Sequence, residues 1–292
     1  MKKPYVKYIA AMLIFGTNGV VASHIALGSA EIVWSRTILG SLFLGGVLLF
    51  SRAKPNLAAM RLQWKRILVS GASMGLSWVF LFEAYRRSGV SASTLVYYCG
   101  PVAVMALSPL LFHERLTAGK LVGVAAVAVG MVFVNGAGLR AEGVSPGLLY
   151  ALGSAALYAV LIVTNKRIDG LSGVELTLLQ LFISCVVVAP YALLTHTPGA
   201  SLGLEGVSAI IFLGVVNSGL ACYLYFSSIH ELPVQTVAIC SYIDPASALI
   251  FSALLLGERL TPVQLCGAAL IIGGAAFGEL YRPRLRKTPA PQ

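Results

Sequence analysis

The chain says the same thing twice. Glu114-Arg115-Leu116-Thr117 returns 144 residues later as Glu258-Arg259-Leu260-Thr261. At that shift Phe82 meets Phe226, Val90 meets Val234, Tyr98 meets Tyr242 and Pro101 meets Pro245. Further on, Leu121 meets Leu265, Gly123 meets Gly267 and Gly130 meets Gly274. The stretch 81–130 needs no gap to keep this register, which marks an internal duplication. Weaker echoes (Leu13 and Leu157, Glu31 and Glu175, Leu49 and Leu193) carry it back towards the start. The expectation is two copies of one unit, about 1–137 and 145–281, with a basic tail at 282–292.

Composition says what kind of unit is repeated. Hydrophobic residues make up 58% of the chain and charged residues 11%, against about 45–50% and 25% in soluble domains. A bilayer core of about 30 Å needs roughly 20 apolar residues of helix. Five segments qualify in the first copy, at 5–24, 31–51, 66–86, 90–113 and 117–136. Five more follow in the second, at 146–165, 173–194, 205–228, 234–256 and 261–281. The prediction is an all-α integral membrane protein with ten transmembrane helices. An odd number of helices per copy turns the second copy upside down, a construction that recurs in secondary transporters with the substrate site near the midplane.

With the N-terminus placed in the cytoplasm, the cytoplasmic segments hold 16 Lys and Arg and the outer segments only Arg86, Arg87, Arg140 and Arg259. That bias puts both termini inside, and short loops with no targeting segment suit a bacterial inner membrane. It also accounts for the net charge of +10 without nucleic acid. The first apolar run lacks a small-residue cleavage site and does not read as a signal peptide. Cys99, Cys185, Cys222, Cys240 and Cys266 all fall in apolar runs with no C-x-x-C pair, so they read as packing residues rather than disulfides or zinc ligands.

Three ionisable residues lie within spans, and such groups cost at least about 2.5–3.5 kcal/mol near a helix centre, so they turn inward and find partners. Arg36 and Glu83 sit roughly 7 and 10 Å outward of their helix centres, which makes them a candidate ion pair. Glu83 has Ser227 as its repeat mate while its neighbour Phe82 keeps Phe226, so the acid serves one half only. Arg36 has Gln180 as its mate, and Asp244 has Gly100. Glu83 also has local alternatives, pairing with Arg87 or reaching the outer surface; Arg36 could serve a structural salt bridge, and Asp244 could cap a broken helix.

Pro101 and Pro245 fall at the centres of helices four and nine, where each removes a backbone donor and frees the carbonyls of Tyr97 and Ser241. Bends there open a cavity or merely improve packing. Tyr97, Tyr98 and Tyr242 flank the bends; Trp78, Tyr158, Tyr223 and Tyr225 lie too deep for an interfacial belt. Asn18, Ser77, Thr94 and Asn217 add neutral polar groups at similar depth, which interhelical hydrogen bonding explains equally well. Several motifs fail in context. Gly71-Ala72-Ser73-Met74-Gly75 resembles a hydrolase elbow but lies within an apolar helix. His113-Glu114 and His230-Glu231 lack the second histidine of a zinc helix, and no P-loop is present.

The doubled pattern Pro101…Glu114-Arg-Leu-Thr…Gly123…Gly130 and Pro245…Glu258-Arg-Leu-Thr…Gly267…Gly274 resembles the drug/metabolite transporter superfamily, EamA type, over about 8–280. Phe15-Gly16-Thr17-Asn18 is similar to the family's aromatic-Gly-Ser-Asn opening, with Phe and Thr in place of Trp and Ser, and Arg36 matches a recurrent helix-two arginine. The resemblance implies a ten-helix inverted-repeat carrier, its cavity lined by helices 1, 3, 4, 6, 8 and 9, with helices 5 and 10 peripheral. Members commonly export amino acids or related metabolites, and some import them. Glu83 departs from the small or apolar residue expected at its place.

The leading reading is a secondary transporter of a small zwitterionic or cationic metabolite, amino-acid-like and exported. Glu83 would take the amine, Arg36 or broken-helix amides the carboxylate, and the aromatics the side chain. One negative charge then remains on Glu83 and Asp244, for a proton or a bound cation to balance. The expected binding set is Glu83, Arg36, Asn18, Trp78, Tyr97, Tyr98, Tyr158, Asn217, Tyr242 and Asp244, with Pro101 and Pro245 as gating kinks. Neither metal nor cofactor is expected, and the assembly would be a monomer or homodimer. The alternative is a proton-coupled exporter of hydrophobic or quaternary cations. An enzyme would need a nucleophile–base or metal constellation, and a sensor an output domain; the sequence offers neither.

Overall fold

In the computed structural model, residues 2–50, 55–88, 93, 96–113, 117–142, 146–196, 203–255 and 261–280 are described. Among them there is no strand; every regular element is helical. The first span is α1 (Lys2–Phe15) and α2 (Asn18–Ala22), followed by α3 (Ser29–Phe50) and α4 (Leu57–Ser88). Next come α5 (Cys99–Phe112), α6 (Ala118–Glu142), α7 (Pro146–Asn165) and α8 (Gly173–Leu194). The eighth span is α9 (Leu204–Phe212), a π-helix (Leu213–Ala221) and α10 (Cys222–Ile229). The ninth is α11 (Val234–Cys240) and α12 (Ile243–Leu255), and α13 (Pro262–Leu280) is last.

Seven helical stretches among the described residues are long and apolar enough to cross a membrane, and two shorter apolar ones lie at Ala118–Phe133 and Pro262–Gly278. The expected segment 90–113 contains α5 together with residues outside the description, as does Thr94. The Glu-Arg-Leu of each repeated tetrad and the tail 282–292 also lie outside it. Large apolar side chains such as Leu42, Leu110, Leu149, Phe182 and Leu254 point outward and are exposed. A surface so rich in apolar side chains suits lipid, not water.

Two departures from the expected spans have physical causes. The third span begins at Leu57 instead of 66, with a kink at Gln63 (φ −114°, ψ 16°). Gln63 exchanges two hydrogen bonds with the backbone of Asp169, at 2.6 and 3.0 Å, which anchors the amphipathic start of α4 to the loop after α7. The first span is not one helix. It breaks at Gly16–Thr17, where a side chain on Gly16 would overlap Ser247 Oγ at 2.0 Å. Close approach of α1 to α12 therefore needs glycine there.

The repeated glycines have an equally direct explanation. A Cβ on Gly123 would lie 2.7 Å from the carbonyl oxygen of Gly274, and one on Gly130 would lie 2.6 Å from that of Gly267. These are the duplicated positions, meeting crosswise on antiparallel α6 and α13. Small residues let the two backbones touch, the usual basis of tight helix pairing in membranes.

Candidate functional site

Breaks in three spans open the centre of the bundle. Tyr98 interrupts the fourth span just before α5, and Ser241–Tyr242 interrupts the ninth between α11 and α12. Pro101 and Pro245 then sit as the third residues of α5 and α12, in the first turn, where a missing N–H costs nothing. The expectation of mid-helix prolines that free the Ser241 carbonyl is thus corrected. That carbonyl accepts from the Asp244 N–H at 3.2 Å, closing a tight turn.

The two broken spans are tied together at the breaks. Tyr98 and Tyr242, repeat mates, pack with ring centroids 5.4 Å apart. Tyr242 O–H donates to the Tyr98 carbonyl at 2.5 Å. The reciprocal bond is absent, because Tyr98 O–H donates instead to Asp244 Oδ2 at 2.7 Å. Asp244, whose mate is glycine, breaks the symmetry.

Beside these breaks lies a cavity of about 410 Å³. Its walls come from the first, third, fourth, sixth, eighth and ninth spans, as the resemblance implied, and also from α3; α6 and α13 contribute nothing. On α4 the wall residues are Met74, Ser77, Trp78, Leu81, Phe82 and Tyr85, alternating three and one apart along a single helical stripe. Tyr97, Tyr98 and Tyr158 form an aromatic wall with Tyr225, joined by ring contacts at 5.1 and 5.3 Å and by a Tyr158–Tyr225 hydroxyl contact at 3.1 Å. Asn18 and Pro245 line the cavity as well.

Two charged residues stand on these walls. Arg36 is 3% exposed, and its Nε donates to Ser218 Oγ at 2.7 Å. Its guanidinium carbon lies 4.4 Å from the Trp78 ring centroid, within cation–π range. Among the described residues no carboxylate lies within ion-pair distance of it. Asp244 is the second, with Tyr98 as its hydrogen-bond donor. The cavity therefore presents a cation on α3 and a carboxyl on α12, with tyrosines and Trp78 among the side chains around it.

The expected Arg36–Glu83 pair does not form. Glu83 is one residue off the wall stripe of α4 and faces a separate cleft of about 590 Å³, shared with Glu31, Arg86 and Arg87. Its carboxylate is met by Arg87 Nε at 3.3 Å and Arg86 Nη1 at 3.5 Å, on the next turn of its own helix. Local i,i+3 and i,i+4 pairing satisfies the acid before Arg36 can. Asn217, Tyr242 and Pro101 are also off the cavity wall, although Tyr242 and Asn217 hold residues that line it or flank it. Tyr223, too, is off the wall.

The sequence reading missed Ser218. It is fully buried in the π-helix next to Asn217, whose Nδ2 donates to the Ile14 carbonyl at 2.9 Å and approaches Thr17 Oγ1 at 3.3 Å. An Asn-Ser pair in an otherwise apolar run was the available signal.

A bundle of apolar helices, broken around a cavity with charged poles, is the architecture of a solute carrier. The chain belongs to the EamA-like transporter family, whose profile matches residues 3–136 and again 145–278. It is similar to "Uncharacterized transporter YxxF" of Bacillus subtilis, 26% identical over 95% of this chain and 89% of that protein. It is also similar to "Probable amino-acid metabolite efflux pump" of Salmonella typhimurium, 27% identical over 72% of this chain and 74% of the other. A solved crystal structure shares the fold, with a TM-score of 0.83 and 20% identity over 95% of this chain and 97% of that one. The protein is thus a multi-pass membrane transporter that carries a small molecule across a bilayer, not an enzyme.

Proposed function

We propose that the protein exports a small zwitterionic, amino-acid-like metabolite across the bacterial inner membrane by alternating access. The observation that carries this reading is the pair of opposite poles on one cavity: Arg36 buried without a carboxylate partner among the described residues, and Asp244 held by a tyrosine hydroxyl. A ligand carboxylate would complete the Arg36 guanidinium, whose fork is shaped for it. The ligand amine would go to Asp244, a role the sequence reading gave to Glu83. Trp78 and the tyrosines would hold the side chain. The name of the Salmonella relative, an amino-acid metabolite efflux pump, supports both the amino-acid class and the outward direction.

The carrier would consist of two inverted five-helix repeats, 1–137 and 145–281, with both termini cytoplasmic. The twofold match of the family profile and the crosswise Gly123–Gly274 and Gly130–Gly267 contacts support that division. In this orientation the cavity runs from Ser23, Ile32 and Tyr85 at the outer ends of their spans towards Tyr225. Tyr8, donating to the Val237 carbonyl at 2.9 Å, belongs to the packed cluster that would seal the cytoplasmic side. A proton taken up on Asp244 is the coupling this arrangement favours, in a carrier that works as a monomer or homodimer.

The alternative, an exporter of hydrophobic or quaternary cations, draws on Asp244 and the tyrosines but gives Arg36 no task. Efflux from proteoliposomes loaded with a radiolabelled mixture of the protein amino acids decides between them. Loss of efflux in both Arg36→Gln and Asp244→Asn is the expected result. Efflux of tetraphenylphosphonium that survives Arg36→Gln, with no amino acid carried, would overturn the zwitterion reading.

A further inference from the structure

The eighth span contains a device that the proposed transport cycle has not yet used. Its centre is a π-helix of nine residues, Leu213–Ala221. Such i→i+5 turns are uncommon, marginal in stability and concentrated at functional places. Two consecutive buried side chains of this turn reach in different directions. Ser218 Oγ accepts at 2.7 Å from Nε of Arg36, which lines the cavity. Asn217 Nδ2 donates to the Ile14 carbonyl at 2.9 Å, beside the Gly16–Thr17 break in the first span. The Ile14 oxygen can only accept, so it fixes which end of the Asn217 amide faces it. Asn217 Oδ1, pointing away, has no protein partner among the described residues. Cys222 Sγ lies 3.6 Å from the Asn217 carbonyl.

The equivalent segment of the first repeat behaves differently. Its positions 70 and 74, mates of Gly214 and Ser218, lie in regular α-helix within α4, where Ser70 accepts from Gln180 rather than from an arginine. Among the described residues, the widened turn thus occurs where the partner helix carries the cation.

We propose that Ser218 and Asn217 are positioning residues for transport, with the π-helix coupling the Arg36 pole to the break in the first span. This rests on the reading that Arg36 takes a ligand carboxylate. A carboxylate drawn to the guanidinium competes with Ser218 for it. Once released from Arg36, the π-turn can shift its hydrogen-bond register towards α, which carries Asn217 off Ile14 and frees the hinge at Gly16–Thr17. Ser218 thus acts on how tightly the ligand is held, and Asn217 on how fast the loaded carrier turns over.

The test is a kinetic split in proteoliposomes, using whichever amino acid of the radiolabelled mixture wild type carries. Removing a hydrogen bond to a charged group predicts a change in KM of about tenfold in Ser218→Ala with kcat kept, and recovery in Ser218→Thr. Asn217→Ala should change kcat severalfold with KM kept. Thr17→Val, which removes the hydroxyl that Asn217 Nδ2 also approaches at 3.3 Å without touching the π-helix, should do the same and guards against a misfolded Asn217 variant. Unchanged KM and kcat in the four variants, or parallel losses that follow the melting temperature, would overturn the coupling. If wild type carries carboxylate-free amides as fast as amino acids, the Arg36 reading fails instead, a result separable from the kinetic split.

Discussion

Arg36 and Gln180 occupy the same place in the two halves and do opposite things. Around Gln180 the interface of α8 with α4 and α7 is sealed: its Nε2 donates to Ser70 Oγ at 2.5 Å and also to Asn165 Oδ1, and Ser70 Oγ donates to Asn165 at 2.9 Å. Each of these three residues is fully buried. Around Arg36 the matching interface of α3 with the π-helix uses similar small-residue packing, Gly40 lying against Ser218 and Gly214, but makes one hydrogen bond and ends on the cavity wall. A neutral amide needs only neighbours and can be closed over. A guanidinium has five donors, and among the described residues one of them meets a serine. On one backbone plan, one copy carries a sealed polar joint and the other a cation on the cavity wall.

Exchanging the two residues is the harshest way to break this contrast. Gln180→Arg places an uncompensated charge in the sealed joint, and the expected cost is about 3–5 kcal/mol. It should appear as a large fall in melting temperature of the purified protein, with no new affinity. Arg36→Gln goes the other way. It should fold with little change in melting temperature and lose roughly 10- to 100-fold in kcat/KM for a carboxylate-bearing ligand.

Two smaller effects sharpen the picture. Asp244→Asn keeps an acceptor for the Tyr98 hydroxyl and removes the charge. Transport of an amino acid should fall by about tenfold, while binding of the matching acid without its amine should change little. Glu83→Gln should matter least. Its arginine partners are largely exposed, so the expected stability change is within about 1 kcal/mol and transport stays within about twofold of wild type. A transport defect in Glu83→Gln as deep as that of Asp244→Asn would mean the outer cleft is on the ligand path.

Much of this was legible in the residues. The duplication carried the helix plan because membrane helices announce themselves by length and apolarity, and the repeated glycines because a helix pair needs both partners small. Arg36, Trp78, Tyr97, Tyr98, Tyr158, Asn18 and Asp244 reach the cavity from the spans the pattern assigned. Glu83 misled because depth fixes a residue's distance along a helix and not its direction around it; one position separates it from the Phe82 stripe. The π-helix stayed hidden because an i→i+5 turn has no compositional signature, and without it the Asn217-Ser218 pair gave no direction for Ser218. The early start of α4 depended on a contact between Gln63 and a loop 106 residues away, which local pattern does not contain.

The central claim is that one cavity reads both ends of a zwitterion. The most direct measurement is thermal stabilisation of the purified protein by three matched ligands: an amino acid that it carries, the amide lacking the carboxylate, and the acid lacking the amine. The account predicts that the amino acid stabilises wild type most, that Arg36→Gln erases its advantage over the amide, and that Asp244→Asn erases its advantage over the acid. Equal stabilisation of wild type by all three, or an order that survives both substitutions, would contradict it.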